Sequence, residues 1–150
     1  MAHPTEGFVN GSELLLFIKD ALDTYQPVAH STSHTVDFNS ETKDRITKDL
    51  SQNGKWKAKS VSGITASITC EGLCIYDSDK LSYKDILAKL KAGETVMLKF
   101  GYREDVAGDT YEEGEFIIAS ISQTSPAGED TTFSATFENS GEVTTVVVTT

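Results

Sequence analysis

The chain is poor in the residues from which catalytic and metal sites are built. It has two cysteines, three histidines and one tryptophan in 150 residues. Cys70 and Cys74 lie in CEGLC with no second Cys or His pair nearby, an incomplete donor set for zinc. They read as small semi-buried residues about a turn at Gly72. His30 and His34 are four apart among strand formers, which separates them by about 13 Å along one face, too far for one ion. No G-x-S-x-G elbow and no phosphate-binding glycine loop occur, and Gly101, Gly108 and Gly114 are scattered. No enzyme activity, cofactor or metal is expected. The longest apolar run, residues 14–18, is far too short to span a membrane. The start, MAHPTEGFVNG, lacks the basic and apolar regions of a signal peptide, which predicts a protein kept in the cytoplasm or built into a particle there.

Cations are also missing from a large part of the chain. The formal net charge is −10, and residues 104–150 carry ten acids and no Lys or Arg. Residues 41–59 hold six bases (Lys43, Arg45, Lys48, Lys55, Lys57, Lys59) against three acids. Binding nucleic acid takes Lys and Arg to displace counterions, and an acidic third does the opposite. The reading is a solubilising surface, complementary docking between copies, or a wall that repels polyanions. Glu104, Asp105, Asp109, Glu112, Glu113, Glu115, Glu129 and Asp130 are the candidates for an acidic docking or lumen surface. The acidic segment 104–115 reads as a solvated loop and does not match an EF-hand.

What is present is strand pattern. Residues 13–19 suit a short buried strand and 20–26 a polar turn. Residues 28–38 read as a strand rich in Ser, Thr and Val. Residues 39–55 are polar, with only Ile46 and Leu50 as large aliphatics, and read as a long arm ordered against another copy. Glu41, Thr42, Lys43, Asp44, Arg45, Lys48, Asp49 and Trp56 are its candidate interface residues. Trp56 is equally suited to anchor the next strand or to act as an interface hot spot. Residues 56–62 read as that strand and Gly63 as a break or bulge. From Ile64, apolar Ile64, Ala66, Ile68 and Cys70 alternate with Thr65, Ser67, Thr69 and Glu71, as in a strand with one wet face. Residues 82–91 are the one helix, capped by Ser82 and Asp85 and ended by Gly93. Strands follow at 96–103, 115–122, 132–137 and 143–148, with turns at SPAGED and Asn139-Ser140-Gly141. The sum is a single mainly β domain, an antiparallel sandwich or partly open barrel of seven to nine strands with one flanking helix, preceded by a loose tail over residues 1–10.

The order NGSELLLFI (10–18), AHSTSHTVDFNSETKDRITKD (29–49), SITCEGL (67–73), LKAGETVMLKFG (90–101) and EGEFIIASISQTSPAGEDTTFSATFENSGEV (113–143) resembles the major tail tube protein of long-tailed phages, lactococcal type. The likeness covers nearly the whole chain, and its most specific pieces are SHT with ETKD and the SPAGED segment running into TFSATF. The resemblance implies a β-sandwich subunit with a flanking helix. It further implies that six subunits close into a ring, that rings stack into a tube in the virion tail, and that the arm reaches an adjacent ring. A tape-measure protein would occupy the lumen before ejection, double-stranded DNA would pass through without specific binding, and neck and tail-end proteins would adjoin the tube. Assembly in the bacterial host cytoplasm follows. The alternatives are a monomeric β-sandwich binding module, of adhesin or carbohydrate-binding type, and the tube subunit of a contractile injection or secretion system.

Overall fold

A computed structural model describes residues 7–19, 24–28, 30–45, 58–74, 81–104 and 106–149. Among these residues, after a 3-10 turn at Gly11–Glu13, seven strands and one helix follow: β1 (Leu14–Lys19), β2 (Tyr25–Pro27), β3 (Ser31–Arg45), β4 (Ala58–Leu73), α1 (Tyr83–Ala92), β5 (Thr95–Tyr102), β6 (Thr110–Thr124) and β7 (Thr132–Val147). The strands form one antiparallel sheet in the order β2-β1-β5-β6-β7-β4-β3, so β2 and β3 are its edges. The sheet curls over one core. Leu16, Ile18, Val96, Leu98, Phe116, Ile118, Phe133, Ala135, Phe137, Ala66, Ile68 and Cys70 are buried together on its inner side. Curling brings edge strand β3 across to β5, where His34 meets Phe100 edge-on at 6.1 Å. This is the mainly β, partly open architecture with a flanking helix that the alternation predicts.

The helix is local chemistry realised. Ser82 is its N-cap and its N–H donates to the Asp85 carboxylate at 3.0 Å, while Gly93 takes the left-handed conformation (φ 70°) that stops it. Ile86 is fully buried and carries the helix onto the core.

Several boundaries differ from the sequence reading, for one shared reason: strand pairing sets them. Residues 39–45 belong to β3 instead of a loop, since each has a partner in β4. A ribbon wet on both faces needs no apolar period, so the sequence carries no strand signal there. Residues 46–57, with Lys48, Asp49 and Trp56, lie outside the described residues. Gly63 does not divide two strands. It sits at a bulge inside β4, where the register steps from Glu41↔Gly63 to Thr42↔Val61. Strand 28–38 is instead broken at His30 (φ 53°), so Val28 makes an isolated bridge to Leu81 and β3 begins at Ser31. The polar turn at 20–26 ends in strand β2. Half of the acidic loop is strand, because residues 110–114 pair with β7. Asn139-Ser140-Gly141 is no turn either: β7 runs through it, bulging between its partners at Phe116 and Gly114.

Gly72 lies within β4 and not in a turn. A Cβ there would come within 2.7 Å of the His30 carbonyl oxygen and 2.8 Å of Ser31 Cα. Gly72→Ala should therefore cost about 1–3 kcal/mol of overpacking, read by urea unfolding, whereas Gly141→Ala, with nothing within 4 Å of its Cβ, should stay near wild type.

Candidate assembly surfaces

The β4–β7 ladder ends at Ser67↔Glu138, but β4 continues to Ala58 paired with β3. The Asn139 side chain marks the departure point. Its Oδ1 accepts the Ala66 N–H at 2.9 Å and its Nδ2 donates to the Gly141 carbonyl at 2.9 Å, so one amide satisfies the first β4 donor beyond the ladder and holds the β7 bulge. Beyond it β3 and β4 form a two-stranded ribbon. Over residues 39–45 it extends about 20 Å at strand rise. Glu41, Thr42, Lys43 and Asp44 are exposed on it, and Arg45 ends the strand. An isolated two-stranded ribbon is marginal in water and gains from pairing or packing against more protein.

The second surface is the outer face of β3, β4, β7 and β6. Register aligns its side chains in rows. One row is Ser33, Glu71, Ser134 and Ser122, and the next is Thr35, Thr69, Thr136 and Ser120. A third is Asp37, Ser67, Glu138 and Ile117. These residues are exposed or half-buried, and no Lys or Arg occurs in 33–39, 65–71, 117–124 or 132–138. Asp37 and Glu138 escaped the sequence reading, which set Glu71 on a wet strand face but not beside them. Their signal was the alternation of Ser, Thr and acid at period two, but strand order was needed to bring them together.

The seven acidic candidates among the described residues do not form one surface. Glu104 is exposed in the β5–β6 turn, whereas Glu129 and Asp130 are exposed in the β6–β7 turn at the other end of β6. Asp105 lies outside the described residues. Asp109 is a correction. It is 5% exposed, its carboxylate accepts the Val106 N–H at 3.1 Å, and its carbonyl accepts the Val148 N–H at 2.7 Å, so it closes the turn onto the end of β7. Glu112 is half-buried and accepts the Thr145 hydroxyl at 2.9 Å. Glu115 is exposed on β6, and Glu113 accepts the Tyr25 hydroxyl at 2.8 Å. Burial, then Glu113, pushes the Tyr25 hydroxyl pKa up. Beside this pair Lys99 is buried with its Nζ over the Tyr111 ring at 4.5 Å and near the Phe17 and Tyr25 rings, a cation–π site that holds β1, β2, β5 and β6 together. A Cβ at Gly101 would fall 2.7 Å from the Tyr111 Cβ, so glycine is what lets that ring lie there.

His30 sits at the break before β3 and His34 within it, so one strand does not carry both histidines. His30 is exposed, and His34 is half-buried with its Nε2 enclosed and without a hydrogen-bond partner. Burial holds the His34 pKa below the usual histidine value. Cys70 is buried and its thiol is pushed up to about 12 by burial and then by Glu71, which leaves it an unreactive core residue. Cys74 is half-buried and accepts a hydrogen bond from Gln123 Nε2 at 3.5 Å.

Comparison with known proteins bears on these surfaces. A family model described as "Phage tail tube protein" matches residues 8–145. A search of curated proteins gives no match. Among solved structures, a chain of the tail of an empty gene transfer agent particle, refined with C6 symmetry, is similar at TM-score 0.75 and 19% identity, over 93% of this chain and 100% of that one. The SPP1 tail tube is similar at TM-score 0.69 and 8% identity, over 95% of this chain and 81% of that one. A chain of the anti-feeding prophage baseplate is similar at TM-score 0.66 and 9% identity, over 97% and 99%. At these identities the likeness is one of fold.

Asn139→Ala should leave the Ala66 N–H without its acceptor, costing about 1–3 kcal/mol and speeding amide exchange at Ala66 ahead of the β4–β7 ladder. Because His34 takes up protons less readily folded than unfolded, stability should be full above the unfolded pKa of about 6.5 and fall as pH drops from there toward the lower folded value. In His34→Phe that part of the acid loss, measured by urea titration, should disappear.

Proposed function

Because the chain belongs to the phage tail tube protein family, we propose that its two surfaces divide the work of a tube. The hydroxyl and acid face of β3, β4, β7 and β6 lines a lumen, and the β3–β4 ribbon reaches a neighbouring copy. The subunit is a structural component of a phage tail, and six copies form a ring that stacks on others. The observation that carries this reading is the ribbon: it leaves the sheet at Asn139 and continues with exposed side chains over residues 39–44.

Edge pairing between copies accounts for a long strand such as β3 at a sheet margin, because ring closure covers such margins. The lumen face offers hydroxyls and carboxylates without Lys or Arg, so DNA phosphates meet no counter-charge and slide. A tape-measure protein fills that lumen before ejection, neck and tail-end proteins adjoin the ends, and assembly occurs in the host cytoplasm. The bases of the arm, Lys43 and Lys48 among them, dock on acids of another copy, for which the exposed Glu104, Glu129 and Asp130 are available while the buried Asp109 is not. Asp44 and Glu41 temper that charge, and Trp56 anchors the arm.

Negative-stain microscopy of the purified protein tests the reading: rings or tubes are expected, and a monomer persisting at high concentration would overturn it in favour of a binding module. Lys43→Glu with Lys48→Glu should weaken assembly about fivefold, from roughly 1 kcal/mol lost between the two contacts, and added salt should do likewise. Assembly indifferent to both would remove the charge-docking part.

A further inference from the structure

The fork in which the ribbon leaves β7 holds a cleft of about 720 Å³ whose walls include Phe38, Val61, Ile64, Ala66, Asn139 and Val143. Three of these apolar side chains face solvent: Phe38 is 52%, Val61 60% and Ile64 69% exposed. Contiguous apolar surface of this kind marks a contact site. The chain carries its own apolar counterpart. Phe8 is fully exposed and Val9 more than half exposed, just ahead of the 3-10 turn.

Those two residues do not reach the cleft of their own molecule. Asn10 is fixed, its side chain accepting the Ser12 N–H and its carbonyl the Glu13 N–H, both at 3.0 Å. Phe8 is two residues from that anchor, a reach of about 7 Å. Gly11 and Ser12 lie beside Ser31–His34, at the start of β3. Phe38 is four residues further along the strand, about 13 Å past His34, and Val61 and Ile64 pair with β3 residues beyond it. A second copy must supply the insert.

We propose that Phe8 and Val9 of one subunit fill the Phe38/Val61/Ile64 cleft of another, a docking that rests on the tube-subunit reading. Donor and acceptor are different patches of one molecule, so the contact is heterologous: every copy gives one insert and receives one, and it propagates around a ring or along a stack. The cleft opens at the base of the ribbon, so the insert also buttresses the two strands that leave the sheet.

The test places the photoreactive residue benzoylphenylalanine at position 8, a solvent-exposed aromatic site, in an equal mixture of ordinary and 15N-labelled protein. Irradiation of assembled tubes should join position 8 of one copy to residues 61–66 or 139–143 of another, giving mixed-isotope peptides by mass spectrometry. Tubes whose cross-links fall elsewhere, or within one copy, would overturn the docking while leaving the tube reading intact. A wild-type protein that forms no tubes would remove both. A second measurement does not depend on the photoreactive residue. Phe8→Ser and Ile64→Ser should each raise the concentration needed for assembly about tenfold, and the double variant should raise it by less than the product of the two. Independent effects would overturn the docking.

Discussion

Hydrogen-bond satisfaction along β4 governs the molecule. For its C-terminal half this strand is a central one, with β3 on one side and β7 on the other. At Ala66 it loses β7, and the Asn139 amide takes over the freed donor. Every backbone group must find a partner, and beyond Asn139 the partner on one side of β4 is no longer the sheet. The ribbon, the cleft in the fork and the bulge in β7 all follow from that one parting of strands.

The same register assigns faces. From β3 to β6 a single inside–outside alternation runs across four strands, packing Val36, Ile68, Phe137 and Ile118 inward and setting Thr35, Thr69, Thr136 and Ser120 outward. A one-residue slip would exchange the two sets. Core burial therefore fixes the composition of the outer face as firmly as it fixes the core. The aromatic enclosure of Lys99 does the equivalent for the other half of the sheet, where β1, β2, β5 and β6 meet.

Assembly is the physical completion of such a chain. A two-stranded ribbon and exposed apolar residues beside it are poorly served by water, and in the proposed tube another copy is what covers them. Residues that look functional by charge alone divide on inspection. Asp109 and Glu112 close a turn and bridge to a threonine, while Asp37, Glu71 and Glu138 share a surface with the hydroxyls.

The helix with its Ser82 and Gly93 ends, the SPAGED turn and the alternation of β4, β5 and β7 were legible in the chain because they are set by neighbours within a few residues. So was the absence of basic residues from the last third. The extent of β3 and β6, the need for glycine at position 72 and the gathering of three acids onto one hydroxyl face were not legible. They depend on which strand lies beside which, and a polar segment exposed on both sides has no apolar period to announce that it is paired. Local propensity wrote the elements; long-range backbone pairing chose their lengths, their faces and the place where the sheet divides.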